Sequence, residues 1–303
     1  MNNGAALQWV DLNGRWDFGM TGYAKYLGNA NGIPIPYGLA LCNGKLVQGI
    51  IKAAVNFPSE VTEARILFGY NPDDASYFTA GIGGWGYGYT IQEFVPNSGW
   101  IALKRTGQIN NILPNKDYRI EVRVYGSRIV LSIDGIELLE HVLSKPFSGE
   151  QIGVFATGNA EIMFKDYSYS SEMGDAFVVM QFSEPYNSLY KEVIAPVTSE
   201  FRLNPYRVDD VYGPGAILND IIGGLVESKI IIAEITPPNQ NVFYELGYAH
   251  ALAKPTILLA ERGKDLPFDI RGYRVIFYED SIAGKKNVEN DLRKHLKAIL
   301  RRN

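Results

Sequence analysis

Between Tyr118 and Gly135 the chain reads YRIEVRVYGSRIVLSIDG, and apolar and polar side chains alternate with a period of two. Tyr118, Ile120, Val122 and Val124 fall on one face, while Arg119, Glu121 and Arg123 fall on the other. The alternation resumes after Gly126-Ser127 with Ile129, Leu131 and Ile133 and stops at Asp134-Gly135. Period-two runs joined by glycine-containing turns predict antiparallel hairpins with one face buried. Shorter runs of the same kind recur around Val47–Val55, Ala64–Gly69, Tyr77–Ile82, Tyr87–Phe94, Ile152–Phe155 and Glu161–Tyr169. No long amphipathic helix interrupts them, so residues 1–170 are expected to form an all-β, jelly-roll-like sandwich of two sheets.

From about Asp175 the period changes. Phe177-Val-Val-Met180 is a continuous apolar run, followed by a helical stretch from about Tyr186 to Ser199. A short strand near Tyr206–Val208, a helix from about Gly215 to Glu227 and the β-branched run Lys229-Ile-Ile-Ile-Ala233 come next. A third helix spans about Asn241 to Ala253 and is stopped by Pro255. Thr256–Ala260 and Tyr273–Tyr278 read as strands, and the final helix, Val288 to Arg301, carries Leu292, Leu296, Ile299 and Leu300 on one face. Strands apolar on both faces and alternating with helices predict a parallel α/β sheet over residues 175–303. The boundary is expected in Ser170–Asp175, a polar stretch without periodicity.

Composition narrows the classes. The chain has 303 residues, 46% of them hydrophobic and 20% charged, as in folded globular domains. A net charge of -4 argues against a general binder of nucleic acid or anionic membrane. A single cysteine, Cys42, excludes an intramolecular disulfide and points to a reducing compartment. Three scattered histidines and that cysteine do not make a zinc site, so no metal is expected. The start, MNNGAALQWV, lacks the regions of a signal peptide, and no run is long enough to cross a bilayer. A cytoplasmic protein is expected.

Gly81-Ile-Gly-Gly-Trp-Gly86 matches the dinucleotide fingerprint G-x-G-x-x-G. The fingerprint works only where its glycines follow a strand and open a helix, so that pyrophosphate rests on the helix N-terminus. Here Tyr87-Gly-Tyr-Thr-Ile-Gln follows and alternates as a strand, so the glycines read as part of the sandwich. Trp85, Tyr87, Tyr89 and Trp100 are either a platform for a sugar or base or members of the core. Strand aromatics favour the core, with one or two rings left to face a ligand.

The segment IIIAEITPPNQNVFYELGYAHALAKPTILL, Ile230 to Leu259, carries most of the chemistry. Its strand ends at Glu234, a loop turns through Thr236-Pro-Pro-Asn239, and a helix starts at Asn239 or Asn241, both good N-caps. Glu245 lies one turn beyond Asn241 on the same helix face. Ligands of open parallel sheets bind beyond the carboxyl ends of the strands, where this loop, Asn239, Asn241 and Glu245 gather. The helix dipole is expected to keep Glu245 ionised, fit to stabilise positive charge or attack an electrophilic carbon. The plain alternative is an exposed first-turn carboxylate of the kind many helices carry.

With IIIAEIT before it, NVFYELGYAHALAKP resembles the signature of bacterial Toll/interleukin-1 receptor (TIR)-like domains and the related nucleoside 2-deoxyribosyltransferase superfamily. FVVMQFSEPY, Phe177 to Tyr186, resembles that family's first strand and substrate-facing loop. Val208-Asp-Asp210 resembles its second strand end, and LPFDIRGYRVIFYED, Leu266 to Asp280, its closing region. The resemblance implies a flavodoxin-like sheet with helices on both faces, and cleavage of an N-glycosidic bond at a ribosyl C1′ by Glu245. It further implies NAD as substrate and not as cofactor, nicotinamide as leaving group, and an antiphage defence role switched on by homo-oligomerisation. Phe182, Ser183, Arg207, Asp209, Glu234, Asn239, Asn241 and Tyr244 are carried over as substrate-binding candidates. Two positions depart from the pattern: Glu234 stands where aspartate is usual, which puts ribose recognition there in doubt, and Gln181 where proline is common.

Breaking a nicotinamide–ribose bond builds oxocarbenium character that one fixed carboxylate can stabilise or capture. Nicotinamide leaves as a neutral molecule, so no strong acid is required. His250, five residues from Glu245, falls on another helix face and reads as structural or surface. Asp210 and the basic residues Lys285, Lys286, Arg293, Lys294, Lys297, Arg301 and Arg302 read as solvated surface.

The first half resembles concanavalin A-like, laminin-G-type sandwiches in GRWDF (Gly14–Phe18), the Tyr118–Gly135 hairpin and GVFATGNAEIMFKDYSYS. That implies a carbohydrate or other ligand, a sensing role, or self-association. Two functions compete with NAD hydrolysis: deoxyribosyl transfer or nucleotide N-glycosidase activity at the same site, and a non-catalytic nucleotide-sensing or assembly module.

Overall fold

The computed structural model of the chain describes residues 7–19, 23–28, 36–144, 149–210, 217–270 and 272–301. The first six residues, Gly215 at the expected helix start, Arg271 of the closing segment and Arg302 of the basic tail lie outside the described residues. The chain divides into two compact units with the main break between Glu172 and Met173, and the Tyr125–Ser127 turn groups with the second unit.

The first unit holds strands β1 (Trp9–Asn13), β2 (Trp16–Phe18), β3 (Ala24–Tyr26), β4 (Tyr37–Lys45), β5 (Gln48–Asn56), β6 (Glu63–Tyr70) and β7 (Tyr77–Ile82). It continues with β8 (Tyr87–Val95), β9 (Gly99–Gln108), β10 (Asp117–Tyr125), β11 (Arg128–Ile133), β12 (Ile136–Val142), β13 (Gln151–Thr157) and β14 (Ile162–Glu172). They form a sandwich of two seven-stranded sheets, ordered β1-β4-β13-β6-β7-β8-β9 and β12-β11-β10-β5-β14-β3-β2. The alternation that predicted the β10–β11 hairpin is realised in burial: Tyr118, Ile120, Val122 and Val124 are buried, while Arg119 is exposed. Asp134 and Gly135, both at positive φ (51° and 83°), turn β11 into β12 as a tight hairpin requires. Strands β1, β4, β9 and β12 lack a clean two-residue period, and pairing with their neighbours makes them strands.

The expected polar boundary is itself strand. β14 runs through Glu172 and β15 (Gly174–Val179) begins two residues later. In the second unit α1 (Tyr186–Leu189) continues through a π-helical turn, Tyr190–Ile194, into α2 (Ala195–Glu200). Then come β16 (Leu203–Tyr206), a 3-10 turn at Val208–Asp210, α3 (Ile217–Glu227), β17 (Ile230–Glu234) and α4 (Gln240–Ala251). The unit closes with β18 (Thr256–Glu261), a 3-10 turn at Phe268–Ile270, β19 (Val275–Tyr278) and α5 (Ile282–Arg301). All five strands are parallel, in the order β16-β15-β17-β18-β19, the doubly wound order 2-1-3-4-5.

The continuous apolar runs follow from burial on both faces. Ala176, Val178, Ile230, Ile232, Ile257 and Leu259 pack with Ile194, Val197, Leu292 and Leu296 on one side. Phe177, Val179, Ile231, Ala233, Leu258 and Ala260 pack with Leu225, Val242, Leu246 and Ala249 on the other. α5 starts six residues before the expected Val288. Ser281 supplies the cap, its Oγ accepting from the Gly284 N–H at 3.0 Å, and Gly284 with the Lys285-Lys286 pair masked this turn in the hydrophobic pattern. No helix among the described residues is long and apolar enough to cross a membrane.

Candidate active site

In a sheet of this order the strand direction of the connections reverses between β15 and β17, and the crevice beyond their carboxyl ends is the usual ligand position. β15 delivers Gln181, Phe182 and Ser183 to this edge, β16 delivers Arg207, and β17 delivers Glu234. Asn239 caps α4, its side-chain oxygen accepting from the Asn241 N–H at 2.9 Å. Asn241 is exposed, as is Tyr244 (57%).

Glu245 lies in the second turn of α4, half-buried beside the stripe of Val242, Leu246 and Ala249 that faces the sheet. Helical side chains lean toward the N-terminus, so its carboxylate is carried back toward the strand ends. Among the described residues it makes no hydrogen bond or ion pair. Burial pushes its carboxyl up to about 7. This corrects the expectation that the dipole holds Glu245 firmly ionised: the macrodipole acts within the first turn, and desolvation one turn further along outweighs it. The plain alternative, an exposed first-turn carboxylate, does not describe this residue either.

Glu234 is 1% exposed and fully engaged within the protein. The Thr236 N–H donates to both of its oxygens at 3.1 Å, the Thr236 hydroxyl donates at 2.5 Å, and the Tyr278 hydroxyl donates at 3.0 Å. Burial outweighs these bonds and raises its carboxyl to about 7. The Thr236 hydroxyl also accepts from the Glu261 N–H at 2.8 Å. Glu234 therefore organises the strand ends from within, and its side chain reaches the tyrosine of β19.

Arg207 forms a second knot. Its guanidinium lies over the Phe182 and Tyr190 rings at 5.0 and 4.5 Å. It donates to Asn187 Oδ1 at 2.8 Å and to Asp209 Oδ2 at 2.7 Å. Asp210, expected at the surface, accepts from the Arg207 N–H and the Tyr190 hydroxyl at 3.1 and 3.3 Å. Phe182, nearly half exposed, is the part of this knot that faces outward. Gln181 donates to Ser183 Oγ at 2.8 Å. His250 stacks on Tyr273 at 4.4 Å, away from Glu245.

The structure thus joins Phe182 to Arg207 and Asp209, and Glu234 to Thr236 and Tyr278, while Glu245 stands free on α4. Thr236 lies in the loop expected at this edge, whereas Asn187, Tyr190 and Tyr278 are not among the residues the sequence singles out. Tyr278 lay inside the resembling Leu266–Asp280 segment and could have been singled out there. A cavity of about 150 Å³ opens beyond β18 and β19, lined by Tyr186, Leu189, Glu261, Tyr278, Ser281 and Lys285, and not by Glu245. The Lys-Pro end of the motif has a structural use: Lys254 is buried and donates to the Val226 and Ser228 carbonyls at 2.6 and 2.7 Å. Among the described residues no cluster of His, Cys, Asp and Glu fits a metal ion.

Of the aromatic quartet in the first unit, Trp100 packs against the buried Leu39, Leu67, Tyr77 and Phe155, Tyr87 and Tyr89 are partly buried, and Trp85 is half exposed. The Gly81–Gly86 glycines join β7 to β8, with no helix after them.

No protein-family model matches the chain. It is 32% identical over 85 residues to the 5-hydroxymethyl-dUMP N-hydrolase of Rattus norvegicus, a stretch covering 27% of this chain. The chain spans about half, 52%, of that curated relative's length. Among solved structures, a carbohydrate-binding module from Bacillus subtilis aligns with 54% of this chain and 95% of its own, at 16% identity and a TM-score of 0.45. The CMP N-glycosidase of Clostridium botulinum aligns with 39% of this chain and 97% of its own, at 18% identity and a TM-score of 0.31.

Proposed function

We propose that the α/β unit is an N-glycosidase acting on a nucleotide, with Glu245 as the catalytic carboxylate and NAD as substrate, in the manner of a TIR-like domain. The observation that carries this reading is a half-buried carboxylate without a partner among the described residues, on the helix that follows the switch-point strand. A cationic nicotinamide ring next to it would draw the proton off and leave the carboxylate to stabilise C1′ as the bond breaks. Phe182, held by Arg207, supplies an outward-facing ring for the base or nicotinamide, and Ser183, Asn241 and Tyr244 supply polar contacts at the same edge. The test is chromatography and mass spectrometry of NAD incubated with the full chain, with nicotinamide and ADP-ribose or its cyclic isomer as expected products. Unchanged NAD under every protein concentration tested would end the assignment.

The second reading keeps the site and changes the substrate to a nucleoside 5′-monophosphate, favoured by the stretch similar to the rat N-hydrolase. A parallel incubation with pyrimidine and purine monophosphates, with and without an acceptor base, separates hydrolysis from transfer. In either case we assign activation to self-association and the biological role to antiphage defence, with the sandwich as the ligand-sensing unit. Activity per protomer rising with concentration, and toxicity in infected cells lost in the Glu245→Gln variant, are the corresponding readouts.

The carboxyl of Glu245 near 7 sets the pH dependence. Its ionised form is the active one, so kcat/KM should rise with pH through about 7 and level off about one unit above, because kcat/KM reports the free enzyme. A rate falling as pH rises through that range would make the protonated acid the working form. Glu234, which titrates in the same region, is committed internally, and its Gln variant should keep the same limb.

A further inference from the structure

The second unit carries a cavity that the glycosidase reading does not use, the space of about 150 Å³ beyond the carboxyl ends of β18 and β19. It lies on the α1–α5 side of the sheet. Ile232, Leu259 and Ile276 face that side with Tyr186, Tyr278 and Val288, and alternation carries Glu234 and Glu261 there too. Glu245 sits on α4, which packs on the opposite face. The buried part of the cavity wall is apolar, with Val193 and Val288 only 3% and 2% exposed. The open part is acidic: Glu192, Glu261, Glu279 and Asp280 stand against one lysine, Lys285. Lys285 is already paired with Glu192 at 3.1 Å and Arg262 with Glu279 at 3.1 Å, while Lys264 comes no nearer to Glu261 than 3.7 Å.

Tyr186 makes this lining more than a solvated acidic surface. It is 8% exposed, it lines the cavity, and its hydroxyl meets no hydrogen-bond partner among the described residues. That oxygen is not one of the sealed polar atoms of the interior, so the cavity is its outlet. Burial raises the Tyr186 pKa, and the Glu234 and Glu261 carboxylates raise it further, so the phenol stands in the field of both. Tyr278, 9% exposed, spends its proton on Glu234 at 3.0 Å. Toward the cavity its oxygen therefore only accepts. A buried phenol without a partner in a negative field costs free energy that a bound donor removes.

We propose that this cavity binds a small aliphatic ammonium ion. Its three N–H donors answer in number and kind the oxygens of Tyr186, Tyr278 and Glu261. Its methylenes have Leu189, Val193 and Val288 to lie against, and the two phenol rings add cation–π attraction. The volume holds about five waters, or an amine of about four to six carbons. A metal ion is poorly served, because among the described residues no three His, Cys, Asp or Glu side chains converge on a point. An anion is poorly served as well: the first turn of α5 already has Ser281 as its cap, Asp280 precedes it, and Lys285 is committed to Glu192. The phosphates of a nucleotide are thereby turned away, so the inference is independent of the glycosidase assignment.

The experiment is calorimetric titration of the full chain at low salt with butylamine, putrescine and agmatine, and with butyrate and inorganic phosphate as anions of similar size. At least one amine is expected to bind with a Kd of about 1 mM or tighter, and neither anion is. A saturating amine should also raise the midpoint of the 222 nm helical signal by a few degrees and leave tryptophan emission unmoved, since it binds the folded α/β unit alone. Tyr186→Phe keeps the ring and orphans no protein group, and Glu261→Gln keeps the shape. Each should weaken the amine by about tenfold, the worth of one charge-assisted hydrogen bond. Lys285→Gln should act in the opposite sense and tighten it by about threefold, because a competing cation leaves the lining. Glu245→Gln should leave amine affinity within about twofold, which separates this cavity from the proposed catalytic carboxylate. The proposal is overturned if no amine binds, if butyrate or phosphate binds as well as the amines, or if affinity is unmoved in both Tyr186→Phe and Glu261→Gln.

Discussion

Glu245→Gln protein is expected to release nicotinamide from NAD at least about 10³-fold more slowly than the wild type while keeping its fold. Removal of one transition-state donor costs about 10²- to 10³-fold in well-studied sites, and loss of a nucleophile costs more. Glutamine matches the shape of the half-buried side chain and removes only the charge. Glu245 has no hydrogen-bond partner among the described residues, so the exchange leaves no protein group orphaned. A large kinetic loss with an unchanged thermal midpoint therefore belongs to the chemistry. The assay is single-turnover mass spectrometry of NAD, with a monophosphate panel beside it. If the variant retains more than a tenth of wild-type activity on whichever nucleotide the wild type cleaves, Glu245 is not the working carboxylate.

Leu292→Ala is expected to destabilise the α/β unit by about 3 kcal/mol, within the usual range for a buried leucine. Leu292 is fully buried between α5 and the sheet face that includes Val178, Ile232 and Leu259. On a unit of this size the midpoint should fall by roughly 10 °C. The molecule supplies its own control: all four tryptophans, Trp9, Trp16, Trp85 and Trp100, belong to the sandwich. Helical circular dichroism at 222 nm should lose stability while tryptophan emission reports an unchanged sandwich. Leu292→Met, which preserves volume, should cost less than about 1.5 kcal/mol. An alanine variant within 1 kcal/mol of wild type would mean that the α5 interface is not tightly packed.

Much of this architecture was legible in the chain because burial imposes a period. The Tyr118–Ile133 hairpin and the run Ile230–Ala233 each announce how many of their faces are buried. Strands such as β9, at the sheet edge with no fully buried residue, carry no such period. The start of α5 was lost because a serine cap, a glycine and two lysines carry no apolar signal. At the candidate site, the position of Glu245 could be read from the strand–loop–helix order. Its electrostatics could not, because desolvation depends on which neighbours cover the side chain. The internal use of Glu234 was equally hidden, since its partner Tyr278 lies 44 residues away. The alternation after Gly86 was enough to set the nucleotide fingerprint aside, whereas the exposure of Trp85 depends on a turn conformation that leaves no period in the chain.

The bond from Tyr278 to Glu234 spans the width of β18 and ties the last strand of the sheet to the strand at its switch point. An aspartate at 234 would stop one methylene short and leave the phenol only its hydrogen bond with the Thr236 side chain, at a cost of up to about 1–3 kcal/mol. A phenylalanine at 278 would in turn remove a donor from a carboxyl group that burial has already raised. The two positions are therefore energetically coupled, and a double-mutant cycle over Glu234 and Tyr278 should give a combined loss smaller than the sum of the single ones.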